Sequence, residues 1–317
     1  MSGKAVWIFT ASLLLIAGGM RASAEIAAPT ESITATATKS REVLDKFAKD
    51  FATPTMLTGK IARWERGVCP VTVGQNPSFA RFITQRVKYV ALTVGAPVNT
   101  EASCTPNIEI VFTTTPQALL DNVRKNEAVY LGYAVSAAQL DALATVTRPI
   151  QAWYTTETVD LIGKRQLDSG RPPEGGGVTM ASELTMPSSR AFGAPTTMSN
   201  AYSARSTGNR INSGIHSGFN HIMIVIDTTK LSGQTVVLLA DYISMLALTQ
   251  LKSLDACQQL PSIVNILAGD CNHSVDGITQ FDLAYLQGLY KASAGKGLVF
   301  QQNDIADAMT DTLAIKK

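Results

Sequence analysis

The chain carries three histidines, and two of them, His216 and His221, stand five positions apart. Brought together across a hairpin, their imidazoles could hold a metal with Asp227 or Asp241. The plainer reading is two partly exposed strand or turn histidines, because no dense ligand spacing surrounds them. A second position of chemical interest is the run Asp241-Tyr242-Ile243-Ser244-Met245, inside the most apolar stretch of the chain. A carboxylate there is costly unless paired. Asp241 is expected either to be a structural group bonded to a loop or an arginine, or to take part in some catalysis. The sequence Gly214-Ile-His-Ser-Gly218 is close to a nucleophile elbow, but Ser217 stands one place late and no strand-to-helix turn follows. Asp270, Asn272, Ser274 and Asp276-Gly277 are spaced roughly like a calcium loop. The glycine falls late, however, and the closing Glu is missing, so an acidic turn braced by Cys271 is the simpler reading. Trp64, Trp153 and Tyr154 could form a sugar platform but read more simply as core. No phosphate-cradling glycine loop is present.

The compartment constrains this chemistry. Lys4 opens a basic n-region, Ala5 to Gly19 is apolar, and Ala22-Ser23-Ala24 is a small-x-small cleavage site. Residues 1–24 are therefore expected to be a secretory signal peptide cut after Ala24, the run being short for a membrane anchor. No integral membrane segment is expected in the mature chain, which would be periplasmic or secreted. Removing Lys4 and Arg21 leaves 25 basic residues against 25 acidic ones. That balance gives no electrostatic case for nucleic acid or an anionic membrane. Export permits disulfides. Of the three possible pairings of four cysteines, locality favours Cys69–Cys104 and Cys257–Cys271. A zinc site lacks Cys-x-x-Cys spacing, and free buried thiols are the other alternative.

The elements that must position these groups follow from periodicity. Residues 25–40 read as a flexible lead-in. Arg41–Phe51 and Phe79–Val94 have helical apolar spacing, the latter started by Pro77-Ser78 and stopped by Gly95 and Pro97. Asn107–Phe112 and Pro149–Thr155 read as strands, with a helix from Pro116 to about Lys125. In residues 163–209, 23 of 47 positions are Gly, Pro, Ser or Thr. That stretch is expected to be a mobile insertion without regular structure. Arg210–His216 and Phe219–Asp227 are expected to form a hairpin turning at Gly218. Val236–Leu251, with twelve apolar residues in sixteen, must be a buried helix. Thr279-x-x-Asp282 is a capping box opening another helix, and a last helix runs from Asn303 to Leu313.

The run LLADYISMLALTQL, then PSIVNIL, then ITQFDLAYLQGLY resembles the zincin metalloprotease core, in which a buried helix carries H-E-x-x-H. The chain is also similar to exported bacterial proteins of unknown function whose zincin-like helix has lost its zinc ligands. The resemblance covers roughly residues 61–313. It implies a zincin-like α+β fold over 41–317, a small mixed sheet packed on a buried central helix. It also implies a degenerate site at Asp241, Tyr242 and Met245. Two imidazoles at i and i+4 share a helical face, and the intervening Glu activates water. Here Asp241 and Met245 replace the imidazoles, and Tyr242, titrating near 10, replaces the base. The expected function is an exported, non-catalytic pseudo-metalloprotease without cofactor, binding an unknown protein or envelope partner through the old cleft or its loops. The alternatives are a metal-dependent hydrolase built on His216 and His221, and an envelope structural or assembly protein.

Overall fold

The computed structural model describes residues 41–169, 205–209, 211–231, 233–252, 257–268, 271 and 275–313. The signal peptide, the lead-in, residues 170–204 of the insertion and most of the acidic turn at 270–276 lie outside the described residues.

Five strands form one mixed sheet in the order β1-β2-β5-β3-β4, and seven helices accompany it among the described residues. They are β1 (Pro70–Val73), β2 (Ile108–Thr113), β3 (Ile150–Val159), β4 (Arg165–Leu167) and β5 (His216–Asp227). The helices are α1 (Arg41–Phe51), α2 (Pro77–Val94), α3 (Pro116–Asn126), α4 (Ala137–Leu143), α5 (Val236–Leu248), α6 (Gln280–Lys291) and α7 (Leu298–Thr312). Strands β1, β2 and β5 are parallel; β3 runs antiparallel to β5, and β4 antiparallel to β3. The architecture is therefore α+β with a small mixed sheet. No helix among the described residues is long and apolar enough to cross a membrane.

The sheet is covered on both faces, which is why β5 reads as an unbroken apolar run rather than an alternating one. Ile222, Ile224 and Ile226 point into the main core with Ile108 and Ile110 and helices α1, α2, α5, α6 and α7. Met223 and Val225 point the other way, with Trp153, onto Leu120 of α3 and Leu140 of α4. Helix α2 starts because Asn76 accepts the Phe79 N–H and Pro77 fits a first turn. Its stripe of Ile83, Val87, Val90, Ala91 and Val94 is buried.

The expected hairpin at Gly218 does not form. Residues 216–227 are one strand, because the far half of β3, Thr156–Val159, runs long enough to pair with residues 216–219. The break in apolar pattern is a bulge: Phe219 pairs with Thr156 and His221 with Thr155, leaving Asn220 extra. The bulge rephases the strand, so Phe219 and Ile222 both reach the main core. Nor is residue 163 the start of irregular chain. Asp160 accepts the N–H groups of Ile162 and Lys164 at 3.0 and 2.8 Å, which turns β3 back into β4. The carboxylate of Asp168 then accepts the hydroxyls of Thr156 and Thr158 at 2.7 and 2.8 Å. Helix α5 stops at Leu248, three residues short, because Leu251 bridges to Ala52. Helix α7 begins at Leu298, five residues early, with Gly297 at its N-cap.

Disulfides join Cys69 to Cys104 and Cys257 to Cys271. The first ties the approach to β1 to the approach to β2, closing the β1–α2–β2 unit. With its ends 35 positions apart it stabilises by about 4 kcal/mol in the loop-entropy account.

The capping box at α6 does more than cap. Asp282, fully buried, accepts the Ser262 hydroxyl at 2.5 Å, the Ile263 N–H at 2.9 Å and the Thr279 N–H at 2.9 Å. One carboxylate thus binds the turn after α5 to the start of α6. Replacing Asp282 by Ala strands two backbone donors and is expected to cost about 3 kcal/mol. Thr279→Ala, which removes a cap hydroxyl, is expected to cost about 1 kcal/mol. Urea unfolding measures both; equal losses would contradict the role given to Asp282.

Candidate functional site

Helix α5 carries Asp241, Tyr242 and Met245, the residues expected to form a degenerate site. Asp241 is 1% exposed, and α2 supplies its partner. Arg86 donates from Nε to Oδ1 and from Nη2 to Oδ2, the latter at 3.1 Å. The Ile278 N–H reaches Oδ2 at 2.9 Å. A Cβ on the neighbouring Gly277 would come within 2.7 Å of that oxygen, so only glycine lets the chain pass there. The carboxylate is thus the structural one, spoken for by a guanidinium and a backbone amide. Tyr242 and Met245 are wholly buried in the main core.

The two histidines stay apart. The Asn220 bulge brings both onto one face of β5, but five residues at about 3.3 Å each separate them by roughly 15 Å. His221 stacks near Tyr130 and lies 3.6 Å from Glu109; burial holds its pKa below the ordinary 6.5 despite that carboxylate. His216 faces Glu65 instead, Nε2 to Oε1 at 2.7 Å. Asp227 is occupied with Thr229 and Lys230 at the far end of the strand. Among the described residues no three His, Cys, Asp or Glu side chains are grouped to hold a metal. Ser217 is buried, its hydroxyl shared with Thr55 and Thr58 at 2.7 and 2.5 Å. Trp64 belongs to the main core and donates to the Ala247 carbonyl.

The concave feature lies elsewhere, along β3. Two adjoining cavities of about 320 and 210 Å³ share Gln151, Ala152, Tyr154 and Leu251 as lining. The larger touches four successive residues of β3, Gln151 to Tyr154. Successive residues point to opposite faces, so the groove runs along the strand's edge rather than over a face. The other edge is taken by β5, and β4 pairs only with Glu157–Val159. The opposite wall is the segment Thr53–Met56 with Gln250 and Leu251. Leu246 of α5 lines the smaller cavity, and Tyr154 Oη reaches past it to the Leu246 and Thr249 carbonyls at 3.0 and 3.2 Å. The Thr53 hydroxyl on the groove wall is buried and finds no hydrogen-bond partner among the described residues. Two basic residues, Arg148 and Lys252, line the smaller cavity.

No family model, curated protein or solved structure matches the chain. The groove was missed from sequence because it is made by strand pairing: β3 outruns β4, and nothing in the residues of β3 announces that.

Two predictions follow from the charged pairs. Arg86 is 27% exposed and Asp241 1%, so removing either partner strands a largely dehydrated charge. Asp241→Ala and Arg86→Met are each expected to cost about 3 kcal/mol, and the double variant less than their sum. A urea double-mutant cycle returning simple additivity would refute the pairing. In the second pair, the hydrogen bond that His216 donates to Glu65 raises His216 above its ordinary 6.5, against opposition from burial and Arg63. Burial alone would raise Glu65, but His216, Arg165 and Arg63 hold it below its ordinary 4.5. The His216 contribution is complete below pH 6.5 and fades as pH rises through its raised folded value; the Glu65 contribution is complete above 4.5 and fades on acidification. His216→Gln is therefore expected to lose about 1 kcal/mol between those limits and progressively less as pH rises above 6.5. A pH-independent loss in urea midpoints would contradict this.

Proposed function

We propose that the protein is an exported, zincin-like pseudo-metalloprotease that binds an extended peptide and does not cut it through a metal on its central helix. The observation that carries the reading is the fate of Asp241. In the family resembled, that helical position holds a metal; here both carboxylate oxygens are bound to Arg86 and the Ile278 amide. Met245, at the second ligand position, is sealed in the core, yet its neighbour Leu246 still walls the groove. Ser262-Ile263 and the box at Thr279 follow α5 in the order the resemblance implies, and Asp282 locks them together.

The occupant is argued from the groove itself. A strand edge left unpaired among the described residues over Gln151–Trp153, beyond β4 and the Gly132 segment that packs on the Tyr154 carbonyl, offers main-chain groups to an extended segment, the strand-addition mode of peptide recognition. Arg148 and Lys252 at the smaller cavity favour a negative charge at that end, an acidic side chain or a terminal carboxylate. Export after Ala24 fits the two disulfides, which an oxidising compartment maintains. The partner is then an envelope or secreted protein with an exposed acidic segment. A hydrolase built on His216 and His221 finds no support, since each imidazole faces its own carboxylate.

The test is selection of random twelve-residue peptides on the immobilised mature chain. Enriched sequences are expected to be acidic, to lose at least tenfold in affinity for Ala152→Leu, which fills the groove, and to be recovered intact after overnight incubation with zinc. Equal binding to Ala152→Leu would move the site away from β3. Zinc-dependent cleavage by the refolded, zinc-loaded protein would end the pseudoenzyme reading.

A further inference from the structure

We propose that Ser213, paired with Lys60, is a nucleophile that accepts acyl groups from activated esters or thioesters, at a site separate from both α5 and the groove. Lys60 is 7% exposed, yet among the described residues no carboxylate accompanies it. Its Nζ meets the Ser213 hydroxyl at 2.7 Å, the Gly295 carbonyl at 2.6 Å and the Ile215 carbonyl. Burial lowers its pKa below the ordinary 10.5, with no neighbouring charge to offset the effect. Among the described residues, three charged side chains on the segments around it are engaged elsewhere. Arg63 donates to the carbonyls of Leu289, Tyr290 and Ala292; Glu65 faces His216 and Arg165; Lys296 pairs with Asp304 at 2.8 Å.

The three contacts have a chemical consequence. A carbonyl can only accept, so two N–H bonds of Lys60 are committed in either protonation state. A hydroxyl can accept or donate. With the ammonium, Ser213 Oγ accepts the third N–H; with the neutral amine, it donates its proton to the nitrogen lone pair. Both states leave every polar group satisfied, which is what a proton-accepting base beside a nucleophile requires. Ser213 itself is partly exposed, so a substrate can reach the oxygen while the amine stays dry.

The loop is held rigidly for this. The Ser213 N–H donates to the Gly295 carbonyl at 3.2 Å, and the Gly214 N–H to Asn212 Oδ1 at 3.0 Å. A Cβ on Gly295 would lie 2.3 Å from Asn212 Oδ1, so the close approach exists only with glycine. Those same bonds limit the substrate. The two amides nearest the nucleophile are already donating, so no ready pair of donors awaits an oxyanion, a deficit worth about 10²–10³ in rate per donor. The site therefore suits an aryl ester or thioester, whose leaving group is good, and not a peptide amide. In the reaction Ser213 Oγ bonds to the acyl carbon and the bond from that carbon to the leaving group breaks. The hydroxyl proton passes to Lys60 Nζ and thence to the departing phenolate or thiolate, leaving an acyl-serine.

The experiment uses p-nitrophenyl butyrate and the full mature chain. About one equivalent of p-nitrophenolate is expected in a burst, with the butyryl group mapped to Ser213 by peptide mass spectrometry. Its rate should rise with pH to a plateau below 10.5, the ordinary lysine value. Ser213→Ala, which removes only the hydroxyl of a partly exposed residue, should abolish the burst. Lys60→Met should slow it at least 100-fold, provided its circular dichroism matches the parent; if it does not fold, the Ser213→Ala and pH results decide. The proposal is overturned by absence of a burst, by butyryl groups only on lysines, by an undiminished burst in Ser213→Ala, or by a folded Lys60→Met acylating at the parental rate.

Discussion

A charge buried in the middle of an apolar helix must be answered, and the answer to Asp241 organises its surroundings. Only α2 brings a guanidinium to it, so Arg86 fixes how α2 lies on α5. Helix α2 is the crossover between the parallel strands β1 and β2, and the Cys69–Cys104 bridge closes the same unit. The Ile278 amide reaches the other side of the carboxylate and sets where the chain enters α6. Three elements remote in sequence therefore converge on one group. An arginine is always charged and satisfies both oxygens at once, leaving no open position for water or substrate.

Asp282 repeats the device one turn later, with neutral donors instead of a cation. It gathers Ser262, Ile263 and Thr279, so the turn after α5 and the start of α6 move as one body. Between them the two carboxylates hold α5 from both ends of the following loop. The helix can then be almost wholly apolar elsewhere, because its polar needs are met at Asp241 and by the Thr235 cap. The groove at the β3 edge lies outside this locked unit, with only Leu246 of α5 on its wall.

Much of this was legible in the residues, and the failures have identifiable causes. The helices at 41–51 and 77–94, the buried α5 and the Thr279–Asp282 box follow from spacing and caps, which are local. The structural reading of Asp241 followed from the cost of burying charge, although its partner Arg86, 155 positions away, could not be named. The hairpin at Gly218 failed because a bulge and a turn leave the same interruption of period two. Only the length of β3 decides between them, and that is a property of pairing. Strand β4 was hidden for a related reason: three residues carry too short a pattern to stand out against the glycine- and serine-rich chain after them. Lys60 left no trace either. Its surroundings, Ser213, Ile215 and Gly295, come from two distant segments, and a lysine in sequence gives no sign that it will be buried.

The groove and the Lys60 site are joined by one short hairpin. Pro54 pairs with Ile61, and the Thr55 N–H binds the Lys60 carbonyl at 2.8 Å. The outer arm supplies Thr53 and Thr55 to the groove wall; the returning arm carries Lys60 to Ser213. Thr55 and Thr58 both bind the Ser217 hydroxyl, which pins the hairpin to β5. Strand β5 in turn is paired with β3, whose edge is the groove floor. The groove wall and the amine therefore belong to one hairpin, joined by the Pro54–Ile61 bridge and the Thr55–Lys60 backbone bond rather than through the core.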